Sequence, residues 1–308
     1  MSSSRRLCTR LGLLVVLLAP LAACGSGDGG STRVGATATR TPEFSVSSTF
    51  SLPTLPTVGA TAAPAPGKGA TPRPSERPLQ GRTIVLDPGH NGGNAGDPAA
   101  INRQVDAGGF RKACDTAGAE TGAVGGAGTT SYPEHAFTFD VATRMAAILR
   151  SRGATVVLTR GDDTGVGPCI DRRAAIGNTA GPGGAPADVA LSIHADGGPA
   201  SGRGFHVLRP GALPGRNDAI LADSRSLSQE VHAAMLRVNQ PPASYIGTDG
   251  YDVRTDLGGL NLSTVPKVFV ECANMRNKTD AARLVDPVFR QQLAVALSDG
   301  LGDYLFGR

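Results

Sequence analysis

The sequence contains no tryptophan, and its aromatic residues amount to only 4 % of 308 positions. Proteins that bind single-stranded nucleic acids stack bases on aromatic side chains, so this class of partner is not expected. Charged residues are also scarce, at 18 %. From residue 81 to the end there are 22 basic and 23 acidic side chains, so the formal excess of +4 comes from the N-terminal part. This nearly neutral region lacks the basic face that is typical of nucleic-acid-binding domains.

The N-terminal apolar stretch is too short to cross a bilayer. Residues 11–23 form a run of 13, whereas a transmembrane helix needs about 20 residues. The run follows three arginines and ends in small residues before Cys24, an order that is typical of a secretory signal and resembles a bacterial lipobox. We therefore predict that residues 1–23 are a lipoprotein signal peptide and that Cys24 is lipidated. An ordinary secretory signal with an incidental cysteine is the alternative.

The 42 glycines and 22 prolines are unevenly distributed along the chain. In residues 24–80, 32 of 57 positions are glycine, proline, serine or threonine, and apolar periodicity is absent. Such a segment cannot bury enough apolar surface to offset its chain entropy. We predict a disordered tether over residues 24–80, which joins a lipid anchor at the outer face of the cytoplasmic membrane to a domain at 81–308.

Residues 81–308 alternate between strand and helix patterns. Short apolar runs bounded by glycine or proline predict strands, and apolar residues repeated every three or four positions predict helices. The predicted strands cover 83–86, 154–159, 189–193, 204–208 and 267–270, and the predicted helices cover 134–152, 171–178, 219–238 and 286–305. This alternation predicts a three-layer α/β fold, with a single mixed β-sheet and helices on both faces. The Gly-rich residues 91–131 are predicted to be a long loop or insertion.

Three predicted strands run into residues that can bind metals or transfer protons. His90 follows the first strand, His194 follows the strand at 189–193, and Glu271 follows the strand at 267–270. In an open α/β sheet, ligands bind beyond the carboxyl ends of the strands. Two imidazoles and one carboxylate, with a fourth position left for water, make a typical catalytic zinc site. We therefore expect the third protein ligand to be a carboxylate near the same edge of the sheet.

Glu134 is the preferred third ligand, because it begins a helix after the loop that leaves His90. Its alternative role is a favourable charge at a helix N-terminus, which is worth about 0.3–1 kcal/mol. Glu120 and His135 are competitors. Glu120 lies in the irregular Gly-rich segment, where a fixed geometry is harder to achieve, and His135 points about 100° away from Glu134 around the helix.

These motifs resemble those of the zinc-dependent N-acetylmuramoyl-L-alanine amidases of the amidase 3 type. The resemblance covers essentially all of residues 81–308, and stretches at 163–173 and 197–207 are similar to the mycobacterial and related actinobacterial branch. The matching motifs, in the order of the family, are Asp87-Pro88-Gly89-His90, Glu134 at a helix start, Ser192-Ile193-His194-Ala195-Asp196 and Val268-Phe269-Val270-Glu271.

The resemblance implies hydrolysis of the amide bond between N-acetylmuramic acid and the L-alanine of the peptidoglycan stem peptide. It also implies one zinc ion per chain, held by His90, Glu134 and His194, with Glu271 as the catalytic residue. A buried carboxylate paired with an arginine such as Arg172 is the alternative for Glu271. Two other functions stay open: a catalytically inactive peptidoglycan-binding protein, and another zinc hydrolase such as a peptidase or a deacetylase. We expect a monomer.

Weaker assignments concern polar residues near the predicted site. Asp196 and Asn261 are candidates for substrate contact, with loop hydrogen bonding as the alternative. His206 is expected to be a packed strand residue, and Arg172 and Arg173 are expected to be surface charges on a helix.

Three cysteines belong to the predicted domain. Outside the cytoplasm cysteine pairing is favoured, and the resemblance to the mycobacterial enzymes implies a disulfide between Cys114 and Cys169. Cys272 directly follows Glu271 on a strand, and we expect it to be a buried free thiol. A cysteine nucleophile at this position, activated by a histidine, is the weaker alternative.

Overall fold

The computed structural model describes residues 77–122 and 131–307. The predicted signal peptide, Cys24 and the tether up to residue 76 lie outside the described residues, and these assignments stay predictions. In the part of the chain that is described, no helix is both long and apolar enough to cross a membrane.

The packed part of the chain includes the last residues before position 81. Leu79 is buried in the main hydrophobic core, and its backbone N–H donates to the carbonyl of Arg152 at 2.6 Å. The Arg152 guanidinium in turn donates to the carbonyl of Arg77.

Eight strands and seven α-helices occur within the described residues. In chain order, the strands are β1 (Thr83–Pro88), β2 (Gln104–Asp106), β3 (Arg111–Ala113), β4 (Thr155–Leu158), β5 (Val189–Asp196), β6 (His206–Pro210), β7 (Tyr251–Arg254) and β8 (Lys267–Asn274). The helices are α1 (Pro98–Asn102), α2 (Glu134–Ser151), α3 (Ile170–Asn178), α4 (Leu221–Arg237), α5 (Gly258–Asn261), α6 (Lys278–Val285) and α7 (Pro287–Phe306).

Six of the strands form one sheet in the order β4-β1-β5-β8-β6-β7. The strands β4, β1, β5 and β8 run parallel to one another, whereas β6 runs antiparallel to β8 and parallel to β7. The predicted mixed sheet is therefore confirmed. The strands β2 and β3 form a separate antiparallel pair.

Helices cover both faces of the sheet, as predicted. Successive strand residues point to opposite faces. On one face, Leu191 and Val270 belong to the larger core, which also includes buried residues of α2, α4 and α7. On the other face, Val85 and Ala190 form a smaller core with Val265 and pack against α3. His194 and Glu271 project from the same face of the sheet as this second, smaller core.

The structure differs from the sequence prediction at several boundaries. The strands β5 and β8 continue past the apolar runs, so His194 and Glu271 lie within strands rather than after them. The backbone of a polar residue that faces a cleft can still form the hydrogen bonds of the sheet. A prediction based on hydrophobicity alone therefore ends such a strand too early. The predicted loop at 91–131 contains α1 and the β2–β3 pair, which are too short to produce a periodic pattern.

Candidate metal centre and catalytic cleft

The strand order brings the predicted site residues to one place. The strands β1, β5 and β8 are consecutive neighbours, and the register pairs His194 with Glu271 and Glu271 with His206. Residues paired across neighbouring strands project to the same face of a sheet, so these three side chains form one row. His90 follows β1 in the left-handed region, at φ 57°, which is uncommon for residues other than glycine. Gly89 precedes it, and any side chain there would collide with the imidazole of His194.

The side chains of His90, Glu134 and His194 form a cluster that could hold a metal ion. The ligand atoms of His90, Glu134 and His194 all lie within 4.8 Å of one another. The Oε1 atom of Glu134 is 3.2 Å from Nε2 of His90 and 3.0 Å from Nδ1 of His194. Two nitrogen donors and one carboxylate are a donor set that suits zinc. Within residues 77–122 and 131–307, this is the one such cluster of three or more histidine, cysteine or acidic residues.

Glu134 reaches the cluster because it is the first residue of α2. Its carboxylate is buried and accepts hydrogen bonds from the backbone N–H groups of Ala119 at 2.7 Å and Ala195 at 3.1 Å. The competing candidates lie elsewhere: the His135 imidazole pairs with Asp163, and the Glu120 carboxylate accepts from a serine hydroxyl.

Burial and neighbouring charges have opposite effects on the pKa values of Glu134 and His90. Burial alone would raise the pKa of Glu134, but attraction to His90 and hydrogen bonds from both histidines hold that pKa well below its ordinary value. Burial alone would lower the pKa of His90, but Glu134 and Asp115 outweigh it and raise this pKa to about 10. A negative carboxylate therefore faces two imidazoles, an arrangement that favours a bound cation.

Glu271 lies beside this cluster as an isolated, half-buried side chain that lines the cleft. Its Oε2 atom is buried and has no hydrogen-bond partner, and no ion pair involving Glu271, with Arg172 or any other residue, occurs within the described part of the chain. Burial and the nearby negative charges of Glu134 and Asp196 raise the pKa of Glu271 well above its ordinary value. A carboxylate with a raised pKa can serve as a general base near neutral pH.

A cleft of about 350 Å³ exposes these groups to a substrate. Its walls include His90, Glu134, His194 and Glu271, together with the side chain of Arg254. A smaller cavity of about 210 Å³ adjoins it and has mainly apolar walls. Phe269 lines both, and its ring stacks on His194 with a centroid separation of 5.3 Å.

A family model described as N-acetylmuramoyl-L-alanine amidase matches residues 84–303 of this chain. The chain belongs to this family. Over 228 residues, the amidase is 39 % identical to N-acetylmuramoyl-L-alanine amidase Rv3717 of Mycobacterium tuberculosis, a match that covers 74 % of this chain and 88 % of the relative. The predicted enzyme class, a hydrolase of the N-acetylmuramoyl-L-alanine amide bond in peptidoglycan, is confirmed.

Two crystal structures resemble the amidase in both sequence and fold. Ami1 from Mycobacterium smegmatis is 39 % identical with a TM-score of 0.67, and the match covers 75 % of this chain and all of that chain. The apo form of Ami1 from Mycobacterium abscessus is 41 % identical with a TM-score of 0.65, and it covers 74 % of this chain and all of that chain. The predicted mycobacterial branch is therefore confirmed.

The two candidates for substrate contact lie in different environments. Asp196 lines the cleft and accepts a hydrogen bond from the Tyr245 hydroxyl at 2.9 Å. Asn261 is buried, and its amide nitrogen donates to the carbonyls of Ala107 and Thr255, both at 2.9 Å. The geometry of Asn261 fits the alternative role, loop hydrogen bonding. Substrate contact by either residue stays a prediction.

The amidase differs from the sequence expectation at Arg173. Arg172 is exposed as expected, but Arg173 is buried on α3 and donates to Asp87 at 2.9 Å and to Asp115 at 3.0 Å. The prediction of a surface charge was wrong, because both partners are distant in sequence and only the fold brings them together. His206 is a buried strand residue as expected, but it also lines the cleft beside Glu271.

Sequence reasoning missed a buried ionic cluster below the cleft. Asp87 pairs with Lys267 at 3.0 Å and with Arg173, and the Ser192 hydroxyl donates to it at 2.6 Å. Lys267 is the first residue of the apolar strand β8. Because lysine is almost never buried without a partner, its position in the sequence indicates a buried acidic partner.

The three cysteines within the described residues behave as expected. Cys114 and Cys169 form a disulfide. Cys272 is a buried free thiol, and burial together with the negative charges of Glu271 and Glu134 raises its pKa well above the ordinary value. A thiol in this state is a poor nucleophile.

Proposed function

We propose that the chain is a zinc-dependent peptidoglycan amidase in which His90, Glu134 and His194 hold one zinc ion and Glu271 is the catalytic base. One observation carries the proposal. Three ligand atoms of the right chemistry lie within 4.8 Å of one another, next to a buried carboxylate oxygen that has no hydrogen-bond partner. Structural carboxylates in protein interiors are normally paired, so an unpaired one in a cleft is better explained by chemistry.

The residues of the cleft divide the reaction between them. When bound, zinc supplies Lewis acidity, which lowers the pKa of water and polarises a substrate carbonyl. Glu271 accepts a proton from the attacking water as the new C–O bond forms. It then returns a proton to the nitrogen of the leaving L-alanine as the C–N bond breaks, which yields a carboxylate and a free amine. General-base and general-acid catalysis of this kind contributes about 10²–10⁴-fold.

We further propose that the enzyme is exported, is anchored through lipid on Cys24 and works as a monomer on peptidoglycan at the outer face of the cytoplasmic membrane. The sequence of residues 1–23 supports export and lipidation. The near-neutral charge after residue 80 implies that affinity for the cell wall comes from the cleft and not from a general electrostatic field. Mass spectrometry of the mature N-terminus tests lipidation directly.

Digestion of muropeptides followed by mass spectrometry tests the activity. Release of the intact stem peptide with a free L-alanine amine is expected. Cuts between amino acids indicate a peptidase, loss of acetate alone indicates a deacetylase, and no product together with retained binding indicates an inactive binding protein. Each of these three results contradicts the proposal.

Two pairs of variants test the residue roles. Glu271→Gln is expected to lower kcat by about 10²–10⁴-fold while the protein keeps one zinc ion by elemental analysis, and Glu230→Gln, outside the cleft, is its control. His90→Ala is expected to lose zinc, whereas His135→Ala, whose imidazole pairs with Asp163, is expected to keep it. Undiminished turnover in Glu271→Gln rejects the base assignment.

A further inference from the structure

The Gly-rich insertion at 91–131 contacts the candidate metal centre directly. Its residues 115–119, which we call the collar, lie against two of the three proposed zinc ligands. The Asp115 carboxylate and the Thr116 carbonyl are each 3.1 Å from Nδ1 of His90. The backbone N–H of Ala119 donates to Oε2 of Glu134 at 2.7 Å. The collar therefore places hydrogen-bonding groups against His90 and Glu134.

The collar determines which nitrogen of His90 faces the cluster. The Asp115 carboxylate and the Thr116 carbonyl can only accept hydrogen bonds, and the Thr116 hydroxyl, 3.2 Å from Nδ1, can accept as well, so Nδ1 carries the proton. In a neutral imidazole, Nε2 then keeps its lone pair. Nε2 lies 3.2 Å from Oε1 of Glu134, on the side of the cluster. The tautomer that the collar selects is the one that can bind a metal ion.

The collar also orients the carboxylate of Glu134. The Ala119 N–H occupies Oε2, while Oε1 faces both His90 and His194. Contact at Gly118 is close as well, because a Cβ atom added there would lie 2.8 Å from Cδ2 of His90 and 3.1 Å from Oε2 of Glu134. The collar backbone therefore packs directly on the ligands, with no space for a side chain.

Two attachments fix the collar to the folded core. The Cys114–Cys169 disulfide directly precedes Asp115 and ends at the residue before α3. From α3, the guanidinium of Arg173 donates to Asp115 Oδ2 at 3.0 Å and to the backbone carbonyl of His90 at 2.9 Å. One carboxylate oxygen of Asp115 thus contacts His90 and the other contacts Arg173, so the orientation of the carboxylate is fixed.

We propose that Asp115 is a positioning residue for the zinc site, which fixes the tautomer and the orientation of His90 and thereby raises the affinity for zinc. The inference rests on the proposed zinc site and gives a role to the insertion. Asp115 acts through His90 and does not touch the substrate. Loss of such an outer hydrogen-bond partner typically weakens metal affinity about 10–100-fold.

Competition with a chromophoric zinc chelator, using the full-length chain, measures the effect. We expect Asp115→Ala to weaken zinc binding about 10–100-fold, and Asp115→Asn, which keeps an acceptor oxygen, to weaken it less. Asp106→Ala is the matched control, because this carboxylate belongs to the same insertion and accepts only from its own loop at Gly108 and Gly109.

A pair of glycine variants tests the contact independently of charge. Gly118 and Gly184 share a backbone φ of +83°, but a Cβ atom at Gly184 meets nothing within 4 Å. Both alanine variants therefore have the same unfavourable φ. Only Gly118→Ala is expected to weaken zinc binding, because only there does the new methyl group press on His90 and Glu134.

The outcomes separate this inference from the proposed function. If the wild-type chain binds no zinc, the proposed function fails. If the wild type binds one zinc ion and Asp115→Ala binds it equally tightly, the positioning role of Asp115 is overturned, whatever the result for Gly118→Ala. Near-UV circular dichroism of the zinc-free proteins checks folding. Should Asp115→Ala not fold, the comparison of Asp115→Asn with Asp106→Ala decides, and equal zinc affinity in these two variants overturns the role.

Discussion

Neutralising Asp87 is predicted to destabilise the amidase by about 3–5 kcal/mol. Its side chain is 2 % exposed and accepts hydrogen bonds from Lys267 at 3.0 Å and from Arg173 at 2.9 Å. The hydroxyls of Thr159 and Ser192 donate to the same carboxylate. Asp87→Asn leaves the equally buried ammonium of Lys267 without its counter-charge. Removing one partner of a buried ion pair is costly because the other charge stays desolvated.

A second substitution separates this cause from a simple loss of packing. Lys267→Met removes the cation but keeps a side chain of similar length, and Asp87 then still has Arg173 as a partner. The Asp87→Asn/Lys267→Met double variant is expected to be more stable than Asp87→Asn alone, because it contains no unpaired ammonium. Urea unfolding at pH 7, with linear extrapolation to water, measures all four proteins of this double-mutant cycle.

The pH dependence of the difference in unfolding free energy between wild type and Asp87→Asn is a further check. Burial alone would raise the pKa of Asp87, but Lys267 and Arg173 hold it well below the ordinary value. The ionised carboxylate therefore stabilises the fold at every pH above its ordinary pKa of about 4, and this stabilisation is lost as the pH falls through the lowered pKa. A difference under about 1 kcal/mol between wild type and Asp87→Asn at pH 7 would refute the reasoning, as would a double variant that is less stable than Asp87→Asn.

Three other predictions concern the surroundings of the site. Arg173→Lys is expected to lower both the unfolding midpoint and the zinc affinity, because lysine has three donors where the guanidinium has five, whereas Arg172→Lys at the exposed neighbouring position is expected to change neither. Cys114→Ser opens a loop of 55 residues and is expected to cost about 4 kcal/mol in the chain-entropy model, measured by urea unfolding; unchanged stability contradicts it. Cys272→Ala is expected to keep kcat in the muropeptide assay, and a large loss there would revive the cysteine nucleophile.

The sequence was sufficient where the signal is local. His90, His194 and Glu271 each end or extend a buried apolar run, and a polar metal-competent residue in that place is conspicuous. The strand order then makes their convergence a consequence of the fold class, since the carboxyl ends of neighbouring parallel strands meet at one edge. Glu134 was identifiable because the helix that it begins has a clear apolar stripe.

The sequence was insufficient where the partners of a residue are distant. Arg173 is 86 positions from Asp87 and 58 from Asp115, and nothing in its local pattern separates a buried arginine from a surface one. The short strands and the short helix of the insertion were not predicted from the sequence for another reason. Elements of three to five residues, such as β2 and α1, do not complete enough turns or alternations for a periodicity to appear.

One buried guanidinium joins the core of the amidase to its candidate metal centre. Arg173 donates to the carboxylate of Asp87 in the ionic cluster, and it also donates to Asp115 and to the backbone carbonyl of His90 at the proposed zinc site. Its Nε donates to the carbonyl of Pro168, in the loop that leads to the disulfide. Because all these acceptors share one rigid planar cation, a shift of the ionic cluster must also shift the collar. The insertion is therefore linked through Arg173 to the buried charges beneath the cleft.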